Sequence, residues 1–226
     1  MDDWTIFAKS LSLRMKKVFA ILGILVLLLA GYLWYSFKGG KKRPKGPKPV
    51  SLAVSKHSDV FNQSVQNLLN AYYSLTDGFV NWDTVAVGRS AQEVKTALDS
   101  LKVDELKVDT TGIYESVLDP VANAKGEVAT ILSDPSIENK RSALNRLSEN
   151  LRLIFIVVKY DQAKLYWQEC PMAFGEGRSG NWLSQTDAVR NPYLGTKHPQ
   201  YGDDMLHCGG PKDTINFMLP DTSHAR

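Results

Sequence analysis

The sequence predicts an all-α protein: an N-terminal transmembrane helix, then an antiparallel four-helix bundle, then an irregular C-terminal loop module. Three observations predict it. Residues 18–35 carry no charge over eighteen positions. Between residues 58 and 160 apolar side chains recur at spacings of three and four, which places them on one face of a helix. After Tyr160 that period stops, and Gly, Pro, Trp, Tyr and polar residues take over. The expected boundaries are a cytoplasmic N-tail at 1–17, a signal anchor at 18–37, a basic linker at 38–50, the bundle at 51–160, and a Cys/Met/Trp loop module packed on it at 161–226.

The apolar run from Val18 to Tyr35, extended to Phe37, is long enough for a helix rising about 1.5 Å per residue to cross a hydrocarbon core about 30 Å thick. Tyr32, Trp34 and Tyr35 form an aromatic belt at one end, and Arg14, Lys16 and Lys17 flank the other. A cleaved signal peptide would want a shorter apolar stretch and small residues at its end. Lysines and Arg43 beyond the belt outnumber the basic residues before it, so a charge count alone places the wrong end inside. A short tail ahead of a first anchor commonly stays in the cytoplasm, and the expectation is a single-pass inner-membrane protein with its C-terminal domain in the periplasm. The stretch Gly39-Gly-Lys-Lys-Arg-Pro-Lys-Gly-Pro-Lys-Pro49 has nothing to bury and reads as an extended linker.

In the bundle, Ser58 caps a helix carrying Phe61, Val65, Leu68, Tyr72 and Leu75. Asp83 caps a second, with Val87, Ala91, Val94, Leu98 and Leu101. A third carries Val117, Val121, Ala124, Val128 and Ile131, and Asp119-Pro120 marks a kink or the true start. The fourth takes Asp134-Pro135 as cap and first helical position, followed by Ile137, Leu144, Leu147, Leu151, Ile154 and Val158. Four such segments with short connections predict an antiparallel bundle.

Composition narrows the function. The formal charge is +3, but ten of the Lys and Arg residues lie within residues 9–48, leaving the remainder near neutral. A nucleic-acid partner needs basic residues concentrated on a folded face, so none is expected. No Ser-His-Asp order, phosphate loop or paired-carboxylate motif stands out, which argues against an enzyme. A catalytic thiol would need a base in suitable geometry beside a cysteine of lowered pKa, and His207 is adjacent only in sequence.

The two cysteines, Cys170 and Cys208, sit in Glu169-Cys-Pro-Met172 and Met205-Leu-His-Cys-Gly209. Cys170 with Met172, and Met205 with His207 and Cys208, offer soft ligands suited to copper(I) and able to hold zinc. The alternative is a Cys170–Cys208 disulfide that staples the loop, stabilising by about 2 to 4 kcal/mol. Chemistry alone leaves both open. Trp182 and Tyr193 are recognition aromatics or loop anchors, and Arg190 pairs with a carboxylate or with loop carbonyls.

Tyr166 and Cys170-Pro-Met-Ala, then Trp182-Leu-Ser, then Arg190-Asn-Pro-Tyr-x-Gly195, then Met205-Leu-x-Cys-Gly209, resemble the domain of unknown function numbered 3347, common in Bacteroidetes. Leu68-Leu-Asn-Ala-Tyr-Tyr-Ser-Leu resembles its Tyr-containing first helix, so the likeness spans residues 57–217. The resemblance implies a helical bundle ahead of this motif order. It also implies an exported domain, found alone or fused to periplasmic adaptors of heavy-metal efflux pumps, and hence a role in handling metal. Carried over, the implied ligands are Cys170, Met172, Met205 and Cys208, with His207 outside that set. This chain departs from the pattern in carrying His198-Pro-Gln-Tyr-Gly-Asp-Asp204 before the Met-Leu element.

The functional expectation is a membrane-anchored periplasmic module that binds a soft metal, copper(I) or zinc, through Cys170, Met172, Met205 and Cys208, with His207 as an extra ligand, in partnership with a metal-efflux system. The alternative is a non-catalytic accessory subunit of an inner-membrane complex. It would carry a Cys170–Cys208 disulfide and use Trp182, Arg190, Asn191 and Tyr193 for docking or loop anchoring.

Overall fold

A computed structural model describes residues 23–34 and 57–218. The chain divides into two compact units at Pro49 and Val50. In the first, residues 23–34 form one helix, α1. Among the described residues no helix is long and apolar enough to cross a membrane. The transmembrane segment expected at 18–37 is corrected accordingly, and with it the single-pass inner-membrane placement and the periplasmic orientation that rested on it. The N-tail at 1–17, the linker at 38–50 and both ends of the expected span lie outside the described residues.

The second unit opens with four helices: α2 (Asp59–Val80), α3 (Thr84–Asp99), α4 (Ile113–Ser133) and α5 (Ile137–Val157). Helix α2 packs on α3, α3 on α4, and α4 on α5. Three-residue links join α2 to α3 and α4 to α5, so each pair forms an antiparallel hairpin. The apolar stripes lie in the core: Phe61, Val65, Leu68, Tyr72 and Leu75 face Val87, Ala91, Val94, Val117, Val128 and Leu147, all essentially inaccessible.

The caps follow local chemistry. Ser58 Oγ accepts from Phe61 N at 3.1 Å, and Asp83 Oδ1 accepts from Ala86 N at 2.9 Å. Two expected boundaries move. Helix α4 begins at Ile113, and Pro120 lies inside it rather than at its start. Helix α5 is capped by Ser136, whose Oγ accepts from Asn139 N at 3.3 Å, while Asp134 accepts from Ser136 N at 2.8 Å. The Asp-Pro pair therefore ends the turn before the helix instead of opening it.

The all-α expectation is corrected in the C-terminal segment. Residues expected to be irregular include a three-stranded antiparallel sheet of order β2-β1-β3: β1 (Leu165–Cys170), β2 (Gly180–Ser184) and β3 (Gly210–Ile215). Central β1 is buried on both sides of the pleat, with Leu165 and Trp167 on one face and Gln168 and Cys170 on the other. The flanking strands are short and begin at glycine, so they carry little strand propensity of their own. Strand β3 pairs with β1 through a bulge between Trp167 and Gln168, and Pro211, which has no N–H to donate, sits at that irregularity on an edge strand.

Candidate functional site

The sheet rests on the bundle through buried polar bonds as well as apolar area. Tyr72 of α2 shares a 2.6 Å hydrogen bond with Ser148 of α5 and accepts from Leu183 N of β2 at 3.1 Å. Asn145 Oδ1 accepts from Asn181 N at 2.6 Å, and the Tyr193 hydroxyl donates to the Asn181 carbonyl. Burial pushes the Tyr72 pKa up to about 12, against the lowering effect of Ser148 and Leu183. Tyr193 is also held well above the ordinary tyrosine range, by burial first.

This sheet brings Cys170 and Cys208 together. Cys170, at the end of β1, is 0% exposed, and its Sγ lies 2.7 Å from that of Cys208. Burial, then the hydrogen bond to Cys170 and its charge, raises the Cys208 thiol well above the ordinary range. Gly209 makes the approach possible: its φ is 114°, and a Cβ there would land on the Glu169 carbonyl oxygen.

The other expected ligands are distributed differently. Met205 packs partly buried against the core, and its carbonyl accepts from Cys208 N at 3.0 Å. Met172 lines a separate cleft described below. His207 is exposed, with its Nδ1 held 2.8 Å from the Val189 carbonyl. Two thiolates on one tetrahedral zinc would stand about 3.8 Å apart, given Zn–S near 2.3 Å, so an ion would have to part the two sulfurs. Among the described residues no group of three or more His, Cys, Asp or Glu side chains is placed to hold a metal ion.

The Arg190-Asn-Pro-Tyr motif braces the loop. Asn191 is fully buried; its side chain donates to Cys208 O at 3.2 Å and accepts from Tyr193 N at 2.8 Å. Arg190 makes an exposed ion pair with Asp77 at 2.7 Å. Trp182 and Tyr193 are buried edge to face with centroids 6.0 Å apart.

A second constellation, absent from the sequence expectations, lies beside it. A cleft of about 390 Å³ is lined by Trp82, Arg141, Phe174, Arg178, Tyr193 and His198, among others. Trp82 occupies the link between α2 and α3 at φ 56°, a left-handed conformation that bulky residues rarely adopt. There its indole donates to Leu194 O at 2.8 Å, and the Arg141 guanidinium lies 3.8 Å over its ring. Arg141 is 5% exposed; its Nε donates to Pro192 O at 3.3 Å, while its Nη2 has no hydrogen-bond partner. Burial brings its pKa down to about 10, partly offset by Glu138, so it stays cationic at neutral pH. His198 is lowered by burial and then by Arg141, and its ring stacks on Tyr201 at 4.9 Å. One sequence signal existed: Arg141 falls in the α5 apolar stripe, four residues after Ile137 and three before Leu144.

No curated protein and no solved structure matches this chain. A family match does exist, and it lies on the helices, ending before the strand residues and before the Cys, Met and Trp motifs that first suggested the likeness. Residues 68–162 match the model described as Protein of unknown function (DUF3347).

Proposed function

We propose that this chain is a non-catalytic accessory module in which a helical bundle presents a sheet and loop face to a ligand or partner, with Cys170 and Cys208 closing that face as a disulfide. The observation that carries the reading is the 2.7 Å separation of the two sulfurs, with Cys170 sealed from solvent. A small closing movement reaches the S–S bond of about 2.05 Å. A nucleophilic thiol requires a lowered pKa, and the raised Cys208 thiol is tuned the opposite way.

A soft-metal role is the second reading, favoured by adjacent sulfurs with Met172 and Met205 partly buried against the same core. In that case reduction opens the pair, and copper(I) or zinc takes Cys170, Met172, Met205 and Cys208, with His207 as an extra ligand. Free-thiol counting on the full chain, purified without reductant, separates the readings when combined with an anaerobic copper(I) titration after reduction. The staple predicts no free thiols before reduction and no stoichiometric copper uptake after it. Two free thiols in the native protein, with one-to-one copper binding lost in a Cys170→Ser, Cys208→Ser variant, would replace the staple with the metal site.

A further inference from the structure

The cleft between the α2–α3 link, the first turns of α5 and the loops after β1 and β2 contains a feature that the fold alone does not require. Arg141 is a buried cation in an apolar stripe, and one of its guanidinium nitrogens lacks a hydrogen-bond partner. Buried charges and buried donors are ordinarily satisfied, and leaving one unsatisfied is destabilising. The surroundings hold the guanidinium in place: its Cζ lies 3.8 Å over the Trp82 ring, and its Nε donates to the Pro192 carbonyl. Trp82 reaches that position only through a strained backbone, and Gly195, at φ 61°, lets the opposing loop close on it. Strain of this kind collects at ligand sites.

We propose that this cleft binds a small organic carboxylate with an apolar body. A preset guanidinium fork matches the planar pair of oxygens in a carboxylate. Arg178 adds a second cation and Glu138 a counter-charge, which leaves a net single positive charge suited to a monoanion more than to a dianion such as phosphate. Phe174, Tyr193, Tyr201 and Met172 line the rest of the space and receive the apolar body. A volume of about 390 Å³ fits a single-ring acid. The proposal holds for either state of the cysteines, which do not line the cleft.

Calorimetric titration of the full chain with phenylacetate, its neutral isostere phenylacetamide, and inorganic phosphate tests the assignment. Phenylacetate is expected to saturate, with the amide weaker by about tenfold to a hundredfold and phosphate weaker than the acid. Arg141→Lys keeps the charge but removes the fork and is expected to weaken phenylacetate about tenfold or more. If that variant does not fold, exposed Arg178→Gln serves instead, with an expected loss of several-fold at unchanged helix content. Equal binding of acid and amide, tighter binding of phosphate, no saturation by phenylacetate, or unchanged affinity in a folded Arg141→Lys protein would each overturn the proposal.

Discussion

At Gly209 the backbone has φ 114°, and a Cβ would overlap the Glu169 carbonyl oxygen, so this position tolerates glycine alone. The clash is with backbone of the central strand, which cannot swing away as a side chain would. Gly209→Ala is therefore expected to lose about 3 kcal/mol of stability, measurable as a lower midpoint in urea unfolding. Tyr72 shows a different kind of dependence. Its hydroxyl meets Ser148 and Leu183 N, so Tyr72→Phe leaves a buried strand N–H unpaired and is expected to cost about 1 to 3 kcal/mol. A loss below about 0.5 kcal/mol would mean that this bond contributes little to seating β2.

The elements differ in how much of them a single sequence exposes. Helices α2 and α3 announce themselves by a cap residue and a long stripe, and α5 by its stripe, so that burial of Phe61 through Leu75 and of Leu144 through Ile154 follows from spacing alone. Helix α4 was less legible, because its N-cap is Gly112 at φ 86° and its Pro120 sits mid-helix, both contrary to ordinary end signals. The sheet was not legible: six residues of β1 give too short a run to define a period, and Gly210-Pro211-Lys212-Asp213 resembles a turn until β1 pairs with it. In the site, adjacency in motif strings drew attention to Cys170 and Cys208, whereas Trp82, Arg141 and Arg178 meet only through folding. If the staple forms, its loop of intervening residues makes it worth roughly 2 to 4 kcal/mol. Reduction is then expected to speed amide exchange in β3 and in the 190–209 loop while leaving α2 and α5 protected. Uniform acceleration across all elements would show that the bond supports the whole unit rather than its sheet.

At the scale of the whole unit, the bundle and the sheet are one cooperative body only if the seam between them is dry. The tyrosines report on this. Tyr72 is raised to about 12 by burial, and Tyr73, Tyr160 and Tyr193 are raised by burial as well. In the unfolded chain each would ionise near pH 10. Below that value both states keep the proton and stability is complete; as pH rises past it, the unfolded state alone can release protons, so stability falls until the folded-state values are passed. Acid behaves in the opposite sense: Asp109, held low by Thr111, and Asp213, held low by Arg152, contribute stability that is lost as pH falls below the ordinary carboxylate range. An alkaline titration read simultaneously by tyrosinate absorbance and helix circular dichroism should thus show the buried share of tyrosines ionising together with loss of helix, above about pH 10. Since Tyr72 and Tyr193 are covered by β2 and the loop as much as by helices, ionisation of that share at an ordinary tyrosine pKa with the helices intact would mean that the sheet opens independently of the bundle.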